Sequence, residues 1–535
     1  SKRCVALFAA VTMALGNSMA ADDQVRMSPA VEDLLREVLD ENRWQTMQTT
    51  LGDGGFWGSL GPMPGGEPEP LSLRKPEKRL VLEIPDDAEG SGTADDPYVG
   101  VISAFLEQRF DYEPHDIPNV PRPHRNPDRG MAPLLDSQRQ ILATRAYADG
   151  LEYEPSLVVI PSGHYVESAI ASEDNVAVEV PPTVWLRGDG KVVIEPEVER
   201  GDPEVIKKRE GDYYQVKKTV RSTLFRLHPR SALVNLTLDG QRYFDHEPGP
   251  LAPYEGPRPA TKVTAVRASH QSVIADCHIR RFTSFAIGKG HSWNTRAVNN
   301  VIEQAGDHGI NAGSEWIVRD NRIRQTGLYR AGRHNYGNDG IMISHGERAR
   351  VVNNLVVQKR DPGSRHLYSG QICDFNLIAG NIGIVEGESR NIFGYSDGSN
   401  YNRMIGNVAL STGGEYEPEH DPLVKNFLAF LVNGSGNRLE HNFAIGMPWT
   451  FAAINREGRS RNVIADNYGE YIIGPVLRRY THHYTLEGNT FKASGKQHDY
   501  RHFETPLPSI APHALDDDAN GLFAPAFATG KFSVR

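Results

Sequence analysis

The chain has little cysteine, no surplus of positive charge and almost no long apolar run, and each shortage excludes a class of protein. Three cysteines in 535 residues cannot build the disulfide framework of a small secreted scaffold. Cys4 stands at the start of an apolar run rather than after it, which argues against a lipid anchor. A formal net charge of −10 argues against nucleic acid as the main ligand. Beyond the first twenty residues nothing approaches the length needed to cross a bilayer, about 20 apolar residues. Those first residues carry Lys2 and Arg3, an apolar stretch from Cys4 to Leu15, and Ser18-Met19-Ala20. That is the pattern of a signal peptide cleaved before Ala21, so the expected location is the periplasm or the outside of the cell.

What is present is a repeat. An apolar pair, one or two polar residues, an Asn and a second apolar stretch recur between Asn235 and Asn489. Examples are Ala297-Val298-Asn299-Asn300-Val301-Ile302, Val351-Val352-Asn353-Asn354-Leu355-Val356 and Val463-Ile464-Ala465-Asp466-Asn467-Tyr468. Cys277 takes the Asn slot in Val273–Ile279, and Asn376 fits with one apolar position swapped. The slots 277, 300 and 321, then 354 and 376, then 467 and 489, lie 21 to 23 residues apart. A period near 22 made of short β-rich pieces indicates a solenoid. An Asn can tolerate the left-handed turn and also hydrogen-bond through its amide to its copy one coil away, so Asn300, Asn321 and Asn354 are expected to stack, with Val301, Leu355 and Val408 near equivalent strand starts. A leucine-rich repeat is excluded, since no helical stretch recurs in each unit. Cys277 and Cys373 then fall about four coils apart, about 19 Å at the spacing of stacked strands, beyond disulfide reach.

Asn300, Asn321, Asn354, Asn442 and Asn467, with Gly309-Ile310 and Gly340-Ile341, resemble the repeats of the pectin-lyase-like superfamily, over roughly residues 155 to 495. The resemblance implies an all-β fold, a right-handed parallel β-helix, and a carbohydrate-active protein. It does not extend to the calcium-binding aspartates of pectate lyases or to the Lys…Arg-His-Gly pattern of chondroitinase-B-like alginate lyases.

Around the coils, residues 21–135 read as an N-terminal helical and wrapping region, with one helix from Pro29 to Gln48 capped by Ser28. The β-helix is expected over 136–500, opened by a cap helix from Asp136 to Ala148, and 501–535 form a tail. The period lengthens at 235–277, 321–354, 376–407 and 407–442, so loops leave the coil there, and insertions in a repeat array gather on one face that usually binds.

The loop Gly327–Asp339 and the next coil's loop hold the candidate chemistry. Between Asn321 and Gly370 nine Lys or Arg face three acids, which suggests an anionic ligand. Cleavage of a uronate polymer by β-elimination needs a group to neutralise the carboxylate, a base and an acid. His334, Tyr336, Arg333, His345, Arg365, His366 and Tyr368 are the candidate catalytic residues. Arg330, Asn335, Asn338, Asp339, Lys359 and Arg360 are the candidate substrate contacts. The expected activity is a polysaccharide lyase on an alginate- or pectate-like glycan.

Two alternatives stay open. One is a glycoside hydrolase or fructotransferase-like glycosyl transferase, since Asp307-His308-Gly309 and Asn338-Asp339-Gly340 resemble pieces of the polygalacturonase signature in reversed order and without its paired aspartates. The other is a non-catalytic glycan-binding β-helix. No cofactor is required, although the acidic stretch Glu415–Asp421 would suit Ca2+ if it is not simply solvated.

Overall fold

The computed structural model describes residues 27–51, 76–110, 154–170, 175–199, 220–240, 261–290, 292–327, 339–359, 366–386, 391–396, 399–411, 428–432, 434–446, 461–470 and 484–492, and the strand segments 205–209, 213–216, 449–454 and 476–478. The candidate cap helix 136–148, the tail 501–535, the acidic stretch 415–421 and the opening twenty residues lie outside them. Among the described residues no helix is long and apolar enough to cross a membrane.

The coil is a three-faced parallel β-helix. Its first face is an 11-stranded parallel sheet running from Val176–Val180 through Ile310–Ala312, Ile341–Ser344 and His366–Gln371 to Val476–Arg478. The second and third faces belong to one 24-stranded sheet bent at a corner. The second face carries three- and four-residue strands such as Ile317–Arg319 and Leu377–Ala379, and the third carries Val301–Ala305, Leu355–Lys359, Val408–Ser411 and their equivalents. The crossovers of parallel strands take the right-handed path. The coil recruits an earlier piece of chain: Lys78–Val81 pairs with Ser156–Val159 in parallel.

The corner between the second and third faces is built by a dipeptide with divided labour. The first residue takes the left-handed conformation: Asp276, Asn299, Asp320, Asn353, Gly380, Gly406, His441, Asp466 and Gly488 all have φ between 53° and 62° apart from Asn299 at 52°. The second is the ladder Asn. Asn300, Asn321, Asn354, Asn381, Asn407, Asn442, Asn467 and Asn489 stack in one column, each Nδ2 donating to the next Oδ1 at 2.9 to 3.1 Å. The same Oδ1 also accepts the backbone N–H of the Asn before it, as in Asn300 N to Asn321 Oδ1 at 3.0 Å, and Asn321 Nδ2 reaches Ala297 O at 2.8 Å. Every donor and acceptor of a buried amide is thereby used. The expected stack of Asn300, Asn321 and Asn354 is present, with Val301, Leu355 and Val408 following it in the third-face strands.

Two readings of the repeat need correction. Turn and amide are not functions of one Asn, and Asn235 is the turn residue (φ 56°) whose ladder neighbour is Leu236. Asn376 is not in this column either. It belongs to a second ladder at the next corner, Asn376–Asn402–Asn437–Asn462, linked at 3.0 to 3.3 Å, and Asn381 fills its place. Both sites satisfy the same short pattern, so spacing alone could not separate them. Cys277 occupies the ladder slot as expected, its amide donating to Asn300 Oδ1 at 3.0 Å, and both Cys277 and Cys373 are free and buried. Burial pushes the Cys277 thiol up to about 12.

Outside the third face, Leu355, Ile382, Val408 and Phe443 form one apolar row and Val357, Ile384, Leu410 and Ile445 another. Strands apolar on both sides must be covered on both. The cover is α1 (Pro29–Val38) and α2 (Glu41–Leu51), whose Leu34, Leu35, Trp44 and Met47 pack on those rows. The expected single helix is two, because Leu39 leaves the helical region and Asp40 starts a new turn, Oδ1 accepting from Arg43 N at 2.9 Å. At the open end of the coil lies α3 (Val101–Phe110), with Val101, Ile102 and Leu106 in the core. Its first amides and the Ser103 hydroxyl donate to the buried Glu167 carboxylate.

Two predictions follow from this packing. Asn321→Ala leaves Ala297 O, Asn300 N–H and the neighbouring amides without partners, and should cost about 3 kcal/mol or more in chemical denaturation, whereas Asp320→Gly beside it should stay within about 1 kcal/mol. Burial pushes Glu167 up to about 7 from 4.5. Because its folded value exceeds the unfolded one, stability is greatest below 4.5 and falls as pH rises through 7, by on the order of 3 kcal/mol. Glu167→Gln should flatten that slope.

Candidate functional site at the corner of the first and third faces

The longest connections between described strands of the coil fall at one corner, where the third face returns to the first. Asp239 is followed by the first-face strand at Thr261, Thr326 by Ile341, Lys359 by His366, and Ser411 by Leu428. The expectation that insertions gather on one side is met, though the interval read as 376–407 runs from Asn381 instead.

The register places the residues just before each first-face strand in columns. Ile287, Ile310, Ile341 and Tyr368 are partners across successive strands, so Phe285, His308, Asp339 and His366 stack beside them, and Ser284 stands beside Asp307. Gly309 N donates to Asp339 O at 3.1 Å. Phe285 and His308 are stacked at 5.3 Å. The Asp339 amide donates to His308 Nδ1 at 2.9 Å, which leaves the proton of a neutral ring on Nε2. Asp339 is 2% exposed. Its Oδ2 accepts from Ser369 Oγ at 2.5 Å and lies 3.9 Å from His308 Nδ1, while Oδ1 has no partner among the described residues. A buried carboxylate oxygen without a partner is rare, and the segment leading into Asp339, residues 328–338, lies outside the described residues. Asp307 leans the other way, its Oδ2 3.7 Å from Lys262 Nζ and 3.2 Å from Ser284 Oγ. Asp307 is thus bonded toward the preceding coils and Asp339 toward the following one.

The sequence candidates divide around this corner. Asp339 is at its centre. His366 stands on the next coil, 8% exposed, its ring over Gly394, where a Cβ would come within 2.9 Å of Nδ1. Lys359 ends the preceding third-face strand. His345 (φ 52°) is at the far end of Ile341–Ser344, bonded to Ser344 Oγ at 2.9 Å, and is not brought to the corner. Tyr368 is a correction: it is fully buried inside the coil, stacked on Phe393 at 4.6 Å, with its hydroxyl donating to the carbonyls of Asn354 and Ile382, both 2.7 Å away. Burial holds its hydroxyl well above the usual tyrosine range, so it cannot exchange a proton with a substrate. Arg330, Arg333, His334, Asn335, Tyr336, Asn338, Arg360 and Arg365 lie outside the described residues.

The basic stretch is also not one patch. Arg324 pairs with Glu303 on the third face, Arg348 pairs with Glu315 and Glu347 at the opposite corner, and Arg350 is buried on the second face. At this corner the residues that were not sequence candidates are Asp307, His308, Ser369, Lys262 and Ser284. The signal for His308 was present, since His308-Gly309-Ile310 and Asp339-Gly340-Ile341 are the same phrase one coil apart. Among the described residues no group of three His, Cys, Asp or Glu could hold a metal ion.

No family model matches the sequence, and no curated protein does. Solved structures similar to the chain include a hyperthermoactive exopolygalacturonase from Thermotoga maritima, at 13% identity over 85% of this chain and 97% of that one, TM-score 0.42. They also include the A-module of a mannuronan C-5 epimerase from Azotobacter vinelandii, at 14% identity over 67% and 96%, TM-score 0.32. An alginate lyase from Paenibacillus is similar at 9% identity over 66% and 97%, TM-score 0.31. At these identities the likeness is one of coil, and what each of those proteins acts on belongs to that protein.

Proposed function

We propose that the protein cleaves glycosidic bonds of an anionic, uronate-containing polysaccharide at the His308–Asp339 corner. The observation that carries this reading is the pair of carboxylates, Asp307 and Asp339, on adjacent coils and leaning apart along the axis. One has a buried oxygen with no partner among the described residues, beside a histidine whose Nδ1 accepts a backbone N–H and whose neutral ring would carry its proton on Nε2.

The arrangement supports hydrolysis better than elimination. Inverting hydrolysis needs an acid and a base separated by about 6.5–9.5 Å so that water fits opposite the leaving oxygen, and two carboxylates on adjacent coils, each bonded away from the other, are the pair this corner offers. Asp339, held by Ser369 and next to His308, would handle one proton, and Asp307, held by Lys262 and Ser284, the other. Elimination remains the second reading, favoured by one observation. Both ends of the segment carrying Arg330, Arg333, His334 and Tyr336 are fixed at this corner, Gly327 N donating to Asp307 O at 2.9 Å and Asp339 N to His308. On either reading a uronate carboxylate calls for a cation, and the segment between Gly327 and Asp339 is rich in them by sequence.

The test uses polygalacturonate and alginate and reads two signals. Hydrolysis predicts new reducing ends without the ultraviolet absorbance of an unsaturated uronate, and elimination predicts both together. Asp339→Asn and Asp307→Asn should each lower turnover on the order of 10²-fold or more with unchanged melting. Full activity in both variants would remove the corner from the chemistry, and tight binding without any cleavage would make the protein a glycan-binding module.

A further inference from the structure

We propose that Phe375 and Tyr401 form a stacking subsite for a sugar ring of an anionic glycan, at the opposite edge of the 11-stranded sheet from Asp339. The inference rests on the polysaccharide reading above and extends it to a second set of residues.

These two aromatics occupy the turn position of the corner between the first and second faces. Arg348 N donates to Asp374 O, Phe375 N to Asn400 O and Tyr401 N to Ser435 O, so Arg348, Phe375, Tyr401 and Gly436 follow one another on successive coils. All four have positive φ, at 54°, 59°, 56° and 71°. On earlier coils the same column holds Thr183, Arg230, Gln271, Asn294 and Glu315, all at positive φ, so this corner accepts side chains of many kinds. Among the described residues Phe375 and Tyr401 are the aromatic members of this column, and they stand on consecutive coils.

The rings are stacked at 5.2 Å and 9°, and Tyr401 is 53% exposed. The coil interior does not use them, because this corner is held by Asn376, Asn402, Asn437 and Asn462 behind them. Gly436 lets the Tyr401 ring lie flat: a Cβ there would come within 2.6 Å of Tyr401 Cδ1. The backing is fixed, since Asn400 N and Nδ2 donate to Asp374 Oδ1 at 2.7 and 3.1 Å and Asn400 Oδ1 accepts from Ser435 N at 2.9 Å.

The result is a half-exposed aromatic stack whose rings already hold each other in place, so little side-chain freedom is lost on contact. The C–H face of a pyranose ring matches such a surface, and the aromatic face attracts the positively polarised hydrogens it carries. The next residue in the column is the exposed Arg461, beside Asn462 in the second ladder. It supplies a cation at one end of the platform for a ring that bears a carboxylate. Arg348, at the other end, is already paired with Glu315 and Glu347. Strand Ile341–Ser344 has four residues, roughly 13 Å at 3.3 Å per residue, and Tyr401 lies two coils beyond Arg348. A chain reaching from Asp339 to Tyr401 would therefore cross the sheet obliquely over several sugar units.

The experiment is calorimetric binding of oligogalacturonate and of alginate oligomers to Asp339→Asn protein, alone and combined with Tyr401→Asn or Tyr401→Phe. Asn suits positive φ, so Tyr401→Asn should melt at the same temperature or higher while binding about three- to tenfold more weakly. Tyr401→Phe keeps the ring and should bind within about twofold of its parent. A Tyr401→Asn protein that binds as tightly as its parent overturns the subsite. So does one that loses stability and keeps its affinity, since the ring would then be packing. In either case cleavage by the native chain leaves the function above standing. A parent that binds neither oligomer, together with a native chain that cleaves neither polymer, contradicts both.

Discussion

The asparagine ladder is the constraint on which the rest of the structure depends. A side-chain amide buried at a corner must find two acceptors and fill its own oxygen, and the only groups at the right height are those of the next coil and its backbone. Eight successive residues from Asn300 to Asn489 satisfy one another in this way. A strand that slipped by one residue would break the column and turn its buried side chains outward. The ladder therefore fixes register along the whole coil, and with it which residues of distant sequence become neighbours.

Register at one corner leaves the opposite corner free to vary. The segment between Thr326 and Ile341 can lengthen without disturbing the column, because its ends return to positions set elsewhere, Gly327 on Asp307 and Asp339 on His308. The third face is closed off by α1 and α2, which bury the apolar rows from Leu355 to Ile445. The first face keeps polar and charged groups beside the insertions. Covering one surface with the N-terminal helices and concentrating insertions beside another gives the molecule a sided character that the repeat by itself does not have.

The coil was legible because its chemistry is local and periodic: Asn300, Asn321 and Asn354 announce the ladder, and Gly309-Ile310 and Gly340-Ile341 announce the first face. The division between turn residue and ladder residue was visible only with coordinates, since Asn occurs in both positions, as Asn353 and Asn354 show. Asn376 was misplaced because a second ladder uses the same short phrase. Of the residues named from their polarity, Asp339 and His366 stand at this corner. Tyr368 was misread because a phenol next to loop residues looks accessible, while its register, opposite Ile341 and Phe393, places it inside. His308 and Ser369 were missed because their importance comes from which coil they face, and that depends on a ladder about ten residues or more away in sequence rather than on a local pattern. The pair Phe375 and Tyr401 is likewise ordinary in sequence, and only the register shows the two rings stacked on successive coils.

The central claim, that ladder-set register makes the His308–Asp339 corner the reacting centre, is tested most directly by a crystal structure of Asp339→Asn protein soaked with an oligogalacturonate or alginate oligomer. The account predicts a glycosidic oxygen lying between the side chains of residues 307 and 339, with His308 Nε2 directed at the sugar. An oligomer seated on the second face, or at the first face with no sugar atom near Asp307 or His308, would contradict it.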